Sequence, residues 1–173
     1  MRKCTYKFLV TALFASILLM VVGCTEKTEN QTQDAHIQTI EAVVHKTLTG
    51  PTDELKQVLK SDGLEDFVKY EEKRYKEYFA NDTSYLHFVN NFSWSLMMEP
   101  IRNNYKLKVK NIEFEKTESD EIIYDFTVEV QYQKEGSDSS EVTFLDGEAN
   151  MNAEHKVERI LFRDKGFHKL FQK

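Results

Sequence analysis

The chain has 173 residues, enough for one domain with its own core, and its 23 Lys+Arg against 29 Asp+Glu give a formal net charge of −6. That acidic excess argues against nucleic acid as a partner and against electrostatic adhesion to anionic lipid headgroups. No phosphate-binding glycine loop, Gly-x-Ser-x-Gly or His-Glu-x-x-His motif occurs.

The first segment opens with Arg2, Lys3 and Lys7, runs through an apolar stretch from Phe8 to Val22, and closes Val21-Val22-Gly23-Cys24. Phe8 to Val22 is 15 residues, a helix of about 22 Å against a hydrocarbon core of roughly 30 Å, and so too short to span comfortably. A cationic start, a short apolar run and a small residue before the cut are the marks of a secretory leader. The layout resembles a bacterial lipoprotein signal peptide, with Val21 to Cys24 as its lipobox. Gly23 and Cys24 match that pattern, while Val21 stands where Leu is usual and Val22 where Ala or Ser is usual. The resemblance implies cleavage before Cys24, acyl chains (palmitate among them) on Cys24, and a cell-membrane location on the extracytoplasmic face. Dual acylation holds a protein where a single chain binds only reversibly.

The predicted organisation is a signal peptide over 1–23, the lipidated Cys24 and a flexible tether over 24–35, and a single domain over 36–173. Loss of 1–23 removes Arg2, Lys3, Lys7 and no acid, which leaves 20 basic against 29 acidic residues and a formal charge of −9. Cys4 departs with the leader and a thioether consumes the remaining thiol, so no intramolecular disulfide is expected. The domain must then be stable from its core alone. Thr25 to Ala35 has no large apolar side chain to offset its ordering entropy and reads as tether. The sequons at Asn30, Asn81 and Asn91 are read as chance matches behind a bacterial-type leader.

Ile37, Ile40, Val44 and Leu48 fall at helical spacing over 36–49, with Asp34 as a candidate N-cap and Gly50-Pro51 as the stop. Thr52 is placed to cap a short helix carrying Leu55, Val58 and Leu59. A longer helix is predicted from Leu64 to Ala80, with Leu64, Phe67, Val68, Tyr75, Tyr78 and Phe79 on its apolar side and a solvated charged face that includes the pair Glu72 and Lys76. Tyr85 to Phe92 has helical spacing again, and Pro100 is expected to set the limit of the stretch that follows.

After Asn103-Asn104 the period changes from about 3.6 to 2. Ile122, Tyr124, Phe126, Val128, Val130 and Tyr132 alternate with Asp125, Thr127, Glu129, Gln131 and Gln133, the clearest strand in the chain. Tyr105 to Lys116 changes phase between Val109 and Ile112, which predicts a bulge near Lys110-Asn111. Glu141 to Asn152 and Val157 to Arg163 supply two more strands, joined by short polar connections that favour an antiparallel meander. Phe167, Leu170 and Phe171 are placed to pack back on the sheet.

The expected class is therefore α+β, with N-terminal helices packed on a four-stranded antiparallel meander. In this order of elements, and in the segments from Leu107 to Ile112 and from Tyr124 to Val130, residues 36–171 resemble the NTF2-like (cystatin-like) superfamily, more narrowly its small lipoproteins in low-GC Gram-positive bacteria. The resemblance implies that this meander sheet is curved into a cone, which serves some members as an enzyme pocket and many others only for binding. His87, Trp94 and Tyr124 are the candidate pocket residues. Asp125 and Glu129 are expected outside the cone by alternation, and His36, His45, His155 and His168 lack metal-ligand spacing. No cofactor and no metal are expected. Three functions stay open: a membrane-tethered binding or interaction module for an envelope protein or a small hydrophobic ligand; an enzyme acting on a small hydrophobic molecule in the cone; and an envelope protective or immunity protein. The first is preferred and an enzyme is not expected.

Overall fold

The alternation that marks Ile122–Lys134 as a strand also fixes which face of the sheet is dry. The computed structural model describes residues 33–61, 63–163 and 166–171. The leader, Cys24, Asn30 and the tether up to residue 32 lie outside the described residues. Residues 36–173 form one unit. The helical segments are α1 over 33–48, then α2 (Asp53–Val58), α3 (Leu64–Tyr75) with a 3-10 turn Lys76–Tyr78, α4 (Asp82–Phe88), a π turn Val89–Ser93 and α5 (Trp94–Arg102). The strands β1 (Tyr105–Lys116), β2 (Ile122–Lys134), β3 (Glu141–Met151) and β4 (Val157–Arg163) follow, and a 3-10 turn Phe167–Phe171 comes last. The protein is α+β, helices first, on an open antiparallel sheet in the order β1-β2-β3-β4.

Tyr124, Phe126, Val128, Val130 and Tyr132 are all buried on the inner face, each worth about 1.5–3 kcal/mol of transfer free energy when fully removed from water. Their cross-strand partners keep the face apolar: Phe126 stands opposite Phe114 on β1 and Gly147 on β3, and Val128 opposite Ile112 and Leu145. The β1 register shifts between Val109 and Asn111, the bulge the phase change predicts. The helices α1, α3 and α4 fill this face, with Ile40, Val43, Val44, Leu48, Tyr75, Tyr85 and Phe88 joining the sheet residues in one core. Leu55, Phe67, Tyr70, Met97 and Met98 make a smaller cluster where α2, α3 and α5 meet. Phe167 and Phe171 are buried, with Phe171 edge-on to Tyr105 and Tyr132 at 5.2 and 5.8 Å.

The local signals explain the boundaries. Thr52 caps α2 by accepting from the Leu55 N–H at 3.2 Å, and Asn81, one of the sequon residues, caps α4 by accepting from Ser84 N–H at 2.9 Å. Gly50 exchanges two backbone hydrogen bonds with Leu107, at 3.1 and 2.8 Å, which ties the end of α1 to the outer edge of β1. Asn104, at φ 59°, makes the turn from α5 into β1, a left-handed position that Asn tolerates.

Four expectations need correction. α1 already includes residues 33–35, so Asp34 sits within the helix instead of capping it. The helix predicted to reach Ala80 tightens into a 3-10 turn after Tyr75, because Phe79 leaves it to bridge Val157 of β4. Pro100 does not end α5, which continues to Arg102, where the Asn103 N–H closes on the Glu99 and Pro100 carbonyls. On α3, Leu64 is 78% exposed and Val68 is exposed, while Glu71 of the supposed solvated face is buried. α3 turns one side to the small cluster and another to the main core, and a single apolar stripe does not describe it.

Candidate functional site

The strand alternation sends Tyr124 inward and Asp125 and Glu129 to the opposite face, where Arg163 binds Asp125 and Glu148 at 3.1 and 2.8 Å. Tyr124 is fully buried, and burial pushes its phenol above the ordinary range. His87 is exposed on α4 with its ring 6.3 Å from that of Phe92. The sequon residue Asn91 donates its side-chain N–H to the His87 carbonyl at 2.7 Å. Trp94 is 43% exposed, set edge-on to Phe67 at 5.2 Å and covered by the Arg102 guanidinium at 5.5 Å. None of Tyr124, His87 and Trp94 lines the cavities between the 47–52 segment and α3 or between α2 and α3.

What Tyr124 does meet is a pair of histidines. His36, on α1, is buried at 2% exposure, with Nδ1 3.4 Å from the Tyr124 hydroxyl and Nε2 3.2 Å from the Asn152 carbonyl. His155, in the turn from β3 to β4, sets its ring edge-on to His36 with centroids 4.6 Å apart. Burial holds the His36 pKa below the ordinary histidine value, and the positive charges available at His155 and Lys116 push the same way, against the pull of the Asn152 carbonyl. One sign of this burial was open to inspection, since His36 stands one turn before Ile40 on the stripe of α1. The partner was not, because His36 and Asn152 are 116 residues apart.

A second polar pair lies where α3 crosses the π turn. A π turn inserts one extra residue into the helical repeat, and here it brings Ser93 inward five residues after Phe88. The Ser93 hydroxyl donates to Glu71 Oε1 at 2.5 Å, and both side chains are buried. Burial raises the Glu71 pKa, offset in part by that hydrogen bond. Tyr85 is raised as well, first by burial and then by the neighbouring Glu71 carboxylate.

The cavities on the helical side are small or open. A cavity of about 10 Å³, room for about one water molecule, lies between the 47–52 segment and α3 and is lined by Thr47, Thr49, Thr52, Tyr70 and Arg74 among others. Arg74 is committed there to structure: its Nε and Nη2 donate to the Lys46 carbonyl, Nε at 3.2 Å, at the C-terminal end of α1, where a cation is favoured. The surface between α2 and α3 forms an open groove of about 370 Å³ bearing Glu54, Asp66, Lys69 and Lys73. Among the described residues, no group of three or more His, Cys, Asp or Glu is placed to hold a metal ion, and no helix is long and apolar enough to cross a membrane.

No family model matches the chain, and no curated protein matches it. Among solved structures it is similar to the solution structure of the putative transfer protein TraH from the Gram-positive conjugative plasmid pIP501, at 13% identity over 78% of this chain and 96% of that one, with a TM-score of 0.47. So distant a likeness transfers nothing, and the class is stated from this chain itself: an α+β domain of helices followed by an open four-stranded antiparallel sheet.

Proposed function

We propose that this chain is a membrane-tethered binding or interaction module of the cell envelope, with an NTF2-like domain held by acyl chains on Cys24 at the extracytoplasmic face. The observation that carries the reading is the distribution of apolar surface. The inner face of the sheet, where an enzyme of this kind would keep its pocket, is packed with α1, α3 and α4 side chains. Of the large apolar side chains left exposed, which also include Leu86 on α4 and Val142 and Phe144 on β3, Leu64, Val68 and Trp94 stand open on the helical side. Trp94, braced by Phe67 and Arg102, is a rigid amphipathic group of the type that dominates contact energies. The partner class that fits is an envelope protein. The leader layout and Cys24 support the anchor, and the helices-then-meander order with a bulged β1 supports the NTF2-like assignment.

The test is crosslinking in intact cells with a photoreactive residue at position 94 of the full chain, against the same residue at position 158 on the exposed part of β4. A discrete adduct at 94 that disappears with Leu64→Ser and Val68→Ser is the expected result. Equal labelling at both positions, or none at 94, overturns the choice of surface. Cys24→Ala should abolish incorporation of a fatty-acid analogue, and undiminished incorporation would refute the anchor.

A further inference from the structure

The bond from His36 to Asn152 fixes the protonation state of the imidazole. A carbonyl oxygen can only accept, so Nε2 carries the hydrogen, and in the neutral ring Nδ1 is left as the acceptor for the Tyr124 hydroxyl. Neutral His36 thus satisfies both nitrogens. The Asn152 carbonyl it bonds also accepts the His155 N–H at 3.2 Å, and the Asn152 side chain accepts from the Glu154 and Lys156 N–H groups at 3.1 and 2.8 Å. One residue therefore closes the β3–β4 turn and holds α1 to it. That turn keeps His155 at φ 61° and buries its Nδ1 without a hydrogen-bond partner among the described residues.

A second proton has no comparable place. It must go to Nδ1, where the Tyr124 hydroxyl has to reverse and accept it. Among the described residues, the groups that face the ring are Tyr124 from β2, Asn152 and His155 from the turn, and Lys116 from the end of β1, and the two with titratable nitrogens bring no negative charge. Glu154 flanks His155 in the turn but binds Asn152 through its backbone. Asp34 is two residues before His36 on α1, a spacing at which helical side chains do not face one another. A buried cation without a counter-charge is costly, and the inexpensive escape is for the ring to leave.

We infer that His36 is an acid-operated latch: its protonation frees residues 36–39 of α1 from the β3–β4 turn and bares the end of the sheet at Tyr124. The motion stops at Ile40, which is fully buried, whereas Ile37 is only half-buried. The sign follows from the lowered pKa. The latch is fully closed above the ordinary histidine value of 6.5 and its contribution is lost as pH falls below that value towards the folded one.

The experiment is a pH series from 7.5 to 5 on the full chain, reading the His36 ring titration by NMR and hydrogen exchange of residues 37–40 and 124, corrected for intrinsic rates. The expected result is a His36 midpoint below that of a free histidine, with protection at 37–40 falling about tenfold more than at Val128. His36→Gln, which can still donate to Asn152, should remove the pH dependence. His155→Asn, which keeps a residue tolerant of positive φ, should raise the His36 midpoint towards the free value, and this arm reads out in a protein that retains His36. An ordinary His36 midpoint overturns the inference, as does unchanged protection across the series or equal acid sensitivity in His36→Gln.

Discussion

Gly147 stands opposite Phe126 in the sheet, and the ring of Phe126 lies over it. A Cβ built on Gly147 would come 2.1 Å from Phe126 Cζ, 2.3 Å from Cε2 and 2.8 Å from the Leu161 carbonyl oxygen. Carbon atoms in contact sit about 3.5–4.0 Å apart, so the methyl overlaps the ring by well over an ångström. The ring has little room to withdraw, since it is edge-on to Phe162 at 5.6 Å and tilted against Phe114 at 6.3 Å. Gly147→Ala should therefore cost about 3 kcal/mol, the upper end of ordinary overpacking. Phe126→Ala should cost about 3–5 kcal/mol through the cavity it leaves. In the double variant the new methyl enters that cavity and only the approach to Leu161 remains, so the pair should be less destabilised than the sum by about 2 kcal/mol. Urea melts of the four proteins, followed by far-ultraviolet circular dichroism because Trp94 is too exposed to report on the core, give the cycle with m as a check on the unfolded state. Costs additive to within about 0.5 kcal/mol would refute the packing argument.

Thr127→Ala, on the opposite face, should cost under about 1 kcal/mol, since it gives up only a half-buried hydrogen bond to Asp146 at 3.1 Å; a loss equal to that of Phe126→Ala would mean that the two faces are reversed. Thr52→Ala should cost about 0.5–2 kcal/mol by uncapping α2, with Thr52→Ser restoring most of it. Glu71→Gln should leave stability unchanged near pH 4, where the carboxyl is protonated in either state. Above the ordinary carboxyl value of 4.5 the wild type loses stability as pH rises and the variant does not, so melting temperatures that stay parallel from pH 4 to 8 would contradict a raised Glu71 pKa.

The sheet was legible because a strand repeats every two residues and the polar side chains of β2 never break step. The bulge in β1 announced itself as a change of phase. The helices were harder for two physical reasons. α3 packs on two clusters through two faces, so Leu64 and Val68 look like core residues by type yet reach beyond the body, while Tyr70 and Glu71 turn inward. In the α4–α5 helix the π turn moves the buried position from four to five residues beyond Phe88, and a reading at 3.6 per turn assigns that place to Phe92 rather than to Ser93. The polar contacts of the interior were the least legible. His36 with His155, and Glu71 with Ser93, are brought together by chain reversals, and no spacing within one element encodes such a meeting.

An open sheet has to finish somewhere, and its last strand offers spare amide and carbonyl groups to any neighbour that arrives in extended form. In β1 that offer is largely withdrawn. Gly50 occupies the edge at Leu107, and the Thr49 hydroxyl lies 3.5 Å from the Val109 nitrogen. Beyond them the bulge kinks the strand, and exposed Lys110, Glu113, Glu115 and Lys116 ring the remainder with charge of both signs. A second molecule would have to bury those charges and match the kink to extend the sheet across this edge. Such a blunted border keeps one molecule from seeding aggregation of the next through β1.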